Sequence, residues 1–367
     1  MAFCGNCGHK LPDGASFCNN CGAYVGNQTG NKTSSAGVSG KSDAHDKSSF
    51  IDGLSGYMGH DKSVQLNWKD LFTNVFKHHN REEAEDIFIC GTSRTTPRLD
   101  EVSATWPKPW LYSRVLLCFV SAFILLYWCA MLFHNPLVIP GLMIIGAFAV
   151  PFATMVLFME VNAFRNISIY SVFLYFLVGG CASLLVTLFF FDLDLVYTGL
   201  DTTWGAMMVG VIEELGKAVI VFVLLKRVAG TGHILPALLV GACVGAGFAA
   251  FESAGYAAMN RSLDGITTSI YVRGFLAPGG HVAWAAITGA AMVIAKGSGP
   301  LTAGVFTDKR FLKIFIIPIV LHGLWDAPIL EGSLLKLVAL IIAVWIVVLI
   351  LINMGLDQVS RLKNAQE

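Results

Sequence analysis

The chain has 367 residues, of which 55% are hydrophobic and only 14% charged, with a mean hydropathy of +0.64. Soluble domains carry about a quarter of charged residues, so this composition excludes an ordinary soluble protein and predicts an α-helical polytopic membrane protein. Formal net charge is +0 and the pI about 7.1, so no nucleic-acid partner is expected.

Charge is unevenly spread along the chain. Residues 1–110 are polar, whereas beyond Trp110 the sequence is apolar with charges gathered in short loops. Met1-Ala-Phe-Cys4 opens directly into a polar cysteine cluster, so no signal peptide is expected. Two knuckles, Cys4-Gly-Asn-Cys7-Gly8 and Cys18-Asn-Asn-Cys21-Gly22, each aim two thiolates at one centre. Four thiolates at this spacing make a closed tetrahedral zinc site, structural rather than catalytic, whose metal supplies most of the folding energy of so small a unit. Over residues 3–24 the pattern is similar to the short zinc-ribbon family. Two disulfides or a redox dithiol would require an oxidising compartment or a thioredoxin-like context, and the sequence offers neither. The other five cysteines, Cys90, Cys118, Cys129, Cys181 and Cys243, are scattered and read as small hydrophobes.

The predicted organisation is a zinc ribbon over 1–26, a flexible Gly/Ser/Asn/Lys/Asp-rich linker over 27–63, a pre-membrane segment over 64–110, a transmembrane bundle over 111–355 and a tail over 356–367. Between Val64 and Ile89, Leu66, Leu71, Phe72, Val75 and Phe76 recur at helical spacing among Lys69, Lys77 and Arg81. That predicts an amphipathic helix, lying on the membrane surface or packed on the bundle. Trp106-Pro-Lys-Pro-Trp110 then marks the membrane interface.

Eight spans are predicted, at 111–133, 137–159, 168–191, 204–225, 234–258, 275–295, 311–330 and 334–354. Ala277-Pro-Gly-Gly280 predicts a broken start to the sixth. With a cytoplasmic N-terminus the inner loops hold Arg165, Lys226, Arg227, Lys296, Lys309, Arg310, Lys313, Arg361 and Lys363. The outer loops hold only Arg261, Arg273 and Lys336, beside the acidic Asp192, Asp194 and Asp201. The positive-inside rule therefore puts both termini in the cytoplasm.

Four places break the apolar background. The fourth span carries Glu213, Glu214 and Lys217; the fifth carries Glu252 and Tyr256; the sixth carries His281; the seventh carries His322 and Asp326. A charge at mid-bilayer costs about 2.5–3.5 kcal/mol on insertion scales, so such residues face a protein interior and carry function. Glu213–Lys217, Glu252–Tyr256 and His322–Asp326 are each four residues apart and so share a helix face. At 1.5 Å per residue, Glu213 and Glu214 lie about 13–15 Å below the outer end, with His322 at similar depth and the others shallower. One outward-opening cavity can hold them all. Gly241, Gly245 and Gly247 read as small-residue helix packing that lets Glu252 approach its neighbours.

In order and spacing, Glu213-Glu214-x-x-Lys217, Phe251-Glu252-x-x-x-Tyr256, His281 and His322-x-x-x-Asp326 resemble the four motifs of the PrsW intramembrane proteases, distant relatives of the CAAX prenyl endopeptidases. The resemblance spans about residues 110–355 and implies site-1-type cleavage of a membrane-anchored protein, an anti-sigma factor in the family's best-known case. The zinc ribbon is an addition to the minimal family core.

The chemistry is arguable from the residues themselves. Peptide hydrolysis needs an activated water, a proton donor and oxyanion stabilisation. A desolvated glutamate suits the general base, so Glu213 with Glu214 as its partner, or the reverse, is assigned that step. His281 and His322 hold the water and stabilise the oxyanion, with Asp326 fixing the tautomer of His322. Glu252 and Tyr256 orient substrate or complete the polar network. Two His plus Glu could also ligate zinc, but no His-Glu-x-x-His helix is present, which slightly favours a metal-free reading. The competing functions are a proton-coupled transporter or channel, and an inactive scaffold recruiting partners through the ribbon. No internal repeat supports the transporter. Oligomeric state is not legible.

Overall fold

In the computed structural model, the described residues are 50–60, 62–64, 66–193, 199–227, 232–275 and 278–366, with the backbone of 2–3 and 10–11. Ala2–Phe3 pairs antiparallel with Lys10–Leu11, Phe3 opposite Lys10. Cys4, Cys7, Cys18 and Cys21 lie outside the described residues, as do 27–49 of the expected linker.

The rest of that linker is not free chain. Phe50–Tyr57 forms helix α1, whose Ile51 and Leu54 pack on the main core and which is followed by buried Met58 and His60. His60 Nε2 and Lys62 Nζ lie 3.4 and 3.2 Å from Asp357 Oδ2, tying the segment to the last helix of the chain. Ile51, Leu54 and Met58 give it a face to bury, while Phe50 and Tyr57 stay exposed.

The amphipathic helix expected over 64–89 is instead a short 3-10 turn, Trp68–Leu71, and a separate helix α2, Arg81–Phe88. Asn80 interrupts it, its side chain accepting from Glu83 N at 2.8 Å as an N-cap. Packing fixes the break: His79 stacks on Trp110 at 3.8 Å, and the Asn74 side chain donates to Lys108 O.

The bundle follows as α3 (Leu111–Phe133) and α4 (Ile139–Val161). Next come α5 (Ile169–Leu174), running through a π-helical stretch, Tyr175–Gly179, into α6 (Gly180–Asp192), and α7 (Thr203–Arg227) and α8 (Ile234–Ala258). After α9 (Leu263–Ile270), the chain continues through α10 (His281–Lys296), α11 (Lys309–Asp326) and α12 (Leu334–Asn364). The Glu160 carboxylate near the end of α4 accepts from the backbone N–H groups of Trp110, Leu111 and Tyr112 at 2.8–2.9 Å. It caps α3 from another helix, satisfying donors that a helix start otherwise leaves orphaned.

Among the described residues, five helical stretches are long and apolar enough to cross a membrane. They are α3, α4 with the turn before it, α5–α6, α8 and α12. The other three expected spans are α7 and α11, which carry charges within their length, and α10, which is 16 residues. These three also carry most of the polar constellation. Large apolar side chains such as Leu117, Leu125, Leu185 and Phe189 face outward, as a lipid-facing surface requires.

Two boundaries differ from expectation. The sixth span starts at His281, after the Pro278-Gly279-Gly280 break, and is preceded by α9 and a π-helical turn, Tyr271–Phe275. The mixed Leu263-Asp-Gly-Ile-Thr-Thr-Ser-Ile270 run hid α9, which is held by buried Ile266 and Ile270. The eighth span continues to Asn364 and absorbs most of the expected tail. Gln358 accepts from Ile234 N, and Lys363 Nζ donates to Asp100 O and Val102 O.

Helix α8 is the hub, almost wholly buried. It meets α10 backbone to backbone: a Cβ at Gly241 would lie 2.1 Å from Ala285 O, and one at Gly245 would lie 2.2 Å from His281 O. No larger residue fits at either position.

Candidate active site

Every bundle residue singled out in the sequence arrives at one place, in the half of the bundle away from residues 50–110. Helix α7 presents Glu213, Glu214 and Lys217, all buried, with Lys217 at 0% exposure. An ammonium so placed must be paired, and it is: Nζ lies 2.7 Å from Glu214 Oε1 and 3.6 Å from Glu213 Oε2. It also contacts His281 Nδ1 at 2.8 Å and sits 4.2 Å from the Phe248 ring centroid. The aromatic face adds a cation–π contact in place of water.

The structure separates the two adjacent glutamates. Glu214 is locked, its Oε1 taken by Lys217 and by His322 Nδ1 at 2.8 Å. Glu213 Oε2 is buried without a hydrogen-bond partner and faces His322 Nε2 at 3.6 Å and His281 Nδ1 at 3.9 Å.

His322 is positioned by more than its own helix. It stacks on Trp284 of α10 at 4.4 Å, and its ring lies edge-on to His281 at 5.0 Å. Asp326 was expected to set its tautomer. The 2.8 Å contact to Nδ1 comes instead from Glu214, while Asp326 Oδ2 lies 3.2 Å from Nε2, on the side facing Glu213. The pairing of Glu214 with a residue 108 positions away has no local sequence signature.

Glu252 Oε2 lies 3.1 Å from His281 Nε2 and 2.7 Å from Arg273 Nη2. The Arg273 guanidinium stands 3.8 Å over the Tyr256 ring, so Tyr256, 40% exposed, reaches the site through the arginine. The sequence marks Arg273 only as an outer-loop charge. Its one available signal was its position eight residues before His281, just ahead of the Pro-Gly-Gly break. A narrow cleft opens between Glu252, Arg273, His281, His322, Trp325 and Asp326.

Glu213, His281 and His322 form a donor set suited to a metal, with one atom from each lying within 4.8 Å of the others. The orphaned Glu213 Oε2 and the mixed N/O donors fit a cation such as zinc. The Lys217 ammonium contacts the same His281 Nδ1 at 2.8 Å and is held by Glu214 at 2.7 Å.

Buried carboxylates and imidazoles thus converge on one cleft inside a helical membrane bundle. The family described as PrsW family intramembrane metalloprotease matches residues 168–352, half of the chain, and a zinc-ribbon domain matches residues 3–25. The chain belongs to the PrsW family: it is a multi-pass intramembrane protease with an N-terminal zinc ribbon. No curated protein and no solved structure matches it. Membership decides for the protease over the transporter and scaffold readings, and implies a membrane-bound substrate.

Proposed function

We propose that the protein is an endopeptidase that cuts single-span, membrane-anchored proteins near their extracytoplasmic side. An anti-sigma factor, or another protein of that build, is the substrate class we infer. The positive-charge asymmetry supports cytoplasmic termini, and on that topology the cleft opens outward.

The observation that carries the mechanism is Glu213 Oε2, which makes no hydrogen bond and lies between two imidazoles at 3.6 and 3.9 Å. Glu213 is the carboxylate that takes the proton of the attacking water; His281 holds that water through its Nδ1 lone pair, and His322 donates to the developing oxyanion. Glu214 orients His322 through Nδ1 and holds Lys217 at the edge of the centre. Asp326, beside His322 Nε2, is placed to pass a proton to the leaving amine. A catalytic metal would be held by Glu213, His281 and His322. When bound it supplies Lewis-acid polarisation of the scissile carbonyl and a more acidic water. A carboxylate has two oxygens, so holding a metal through one leaves the other for the proton.

In the ribbon, Cys4, Cys7, Cys18 and Cys21 are proposed to hold a structural zinc. The test of the catalytic reading is comparative proteomics of membrane-protein fragments with wild type and Glu213→Gln, followed by cleavage of the recovered substrate as a single-span reporter. The substitution preserves shape and should lower turnover by about 10²–10⁴-fold. Unchanged cleavage in Glu213→Gln sinks the assignment.

A further inference from the structure

We propose that Arg273 is a positioning residue for the reaction centre: it holds Glu252 against His281 Nε2 and thereby presents the Nδ1 lone pair of His281 to Glu213 and any metal bound there. The inference rests on the metal-centre reading above and adds to it a residue that no motif on the chain marks.

The argument begins with the imidazole. A neutral histidine has one N–H and one lone pair, and the partner at one nitrogen decides which is which. At His281, Nε2 faces the Glu252 carboxylate at 3.1 Å, and a carboxylate only accepts. The N–H therefore belongs on Nε2. Nδ1 keeps its lone pair, which points toward Lys217 Nζ at 2.8 Å and Glu213 Oε2 at 3.9 Å. A carboxylate behind a histidine is the usual means of fixing a metal-ligating ring.

Glu252 cannot hold that post unaided. Its side chain is largely buried, and the same site contains Glu213, Glu214 and Asp326. Like charges so close repel, and the Lys217 ammonium of α7 is already held by Glu214 at 2.7 Å. Arg273 supplies the missing counter-charge from a different element, the π-helical turn before the Pro-Gly-Gly break, with Nη2 2.7 Å from Glu252 Oε2. The guanidinium is itself fixed on its other side by the Tyr256 ring at 3.8 Å. Glu252 and Tyr256, one helical turn apart on α8, thus form the two jaws of a clamp on Arg273. That arrangement explains their i, i+4 spacing without any contact to substrate.

The test is Co²⁺ titration of the full-length protein in detergent, in a Cys4→Ser, Cys18→Ser background so that the ribbon contributes nothing. Cobalt's visible absorption reports coordination geometry as well as occupancy. The parent should bind one Co²⁺. Arg273→Gln should weaken binding by about 10–100-fold and alter the spectrum, the usual effect of removing a group behind a metal ligand. Arg273→Lys, which keeps the charge, should recover most of the loss. Arg273→Gln binding Co²⁺ with the parent's affinity and spectrum overturns this inference alone. A parent that binds no Co²⁺ overturns the metal centre as well. If Arg273→Gln does not fold, Glu252→Gln takes its place: it is isosteric and must show the same loss.

Discussion

Glu214 and Lys217 are both fully buried, and their charged atoms lie 2.7 Å apart one helical turn from each other in α7. The pair is the anchor on which the reacting groups are hung, since Glu214 also grips His322 and Lys217 also grips His281. A buried ion pair of this kind is weak as a source of stability, but breaking it from one side leaves an uncompensated charge.

Glu214→Ala should therefore destabilise the protein by about 3–5 kcal/mol as well as abolish cleavage. Glu213→Gln should leave stability nearly unchanged. The double variant Glu214→Leu, Lys217→Met should regain most of the stability and none of the activity. Thermal unfolding in detergent beside reporter cleavage separates the two effects, and equal melting of Glu214→Ala and wild type would rule out the anchoring role.

The α8–α10 contact makes a second, steric prediction. Gly245→Ala places a methyl 2.2 Å from His281 O, so α10 must shift and carry His281 with it. Overpacking of this sort costs about 1–3 kcal/mol, and a displacement near 1 Å at the chemistry costs about 10²-fold in rate. Gly255→Ala on the same helix meets nothing within 4 Å. It should be neutral in activity and stabilising by about 0.4–1 kcal/mol, because alanine restricts the unfolded chain. The contrast is read from melting temperature and turnover of the two variants, and its absence would mean that the backbone contact does not hold His281.

Topology is checked by labelling. With the native cysteines replaced, Asp201→Cys should react with a membrane-impermeant maleimide added outside intact cells, and Lys309→Cys only after permeabilisation. The opposite pattern would turn the cleft to the cytoplasm and overturn the extracytoplasmic site of cleavage.

Metal content gives the last test. Wild type should carry two metal ions per chain, Cys4→Ser, Cys18→Ser one, and that variant with His322→Ala added none. Should the ribbon variant lose all metal and still cleave its reporter, the membrane site works without one and Glu213 acts with the two histidines alone.

Much of this was legible along the chain. Bilayer insertion penalises charge so heavily that Glu213, Glu214, Lys217, Glu252, His281, His322 and Asp326 stood out against their apolar surroundings, and helical periodicity put them on shared faces. The Ala277-Pro278-Gly279-Gly280 run announced a broken start to the sixth span, although the helix begins at His281 and not at the expected 275. Tertiary structure decided what those residues do to one another. Two adjacent glutamates are equivalent in sequence; only the packing of α11 against α7 gives Glu214 Oε1 to His322 Nδ1 and sets Glu213 Oε2 opposite His322 Nε2 with no hydrogen bond. Arg273 was invisible for the same reason, since a charge in a loop is ordinary until folding lays it between Tyr256 and Glu252. Periodicity reports which face of a helix is buried, whereas partners drawn from α7, α8, α10 and α11 are chosen by how closely those helices approach. The Glu213-Glu214-Leu-Gly-Lys217 stretch fixed that there is a site; the glycines that let α8 touch α10 fixed its geometry.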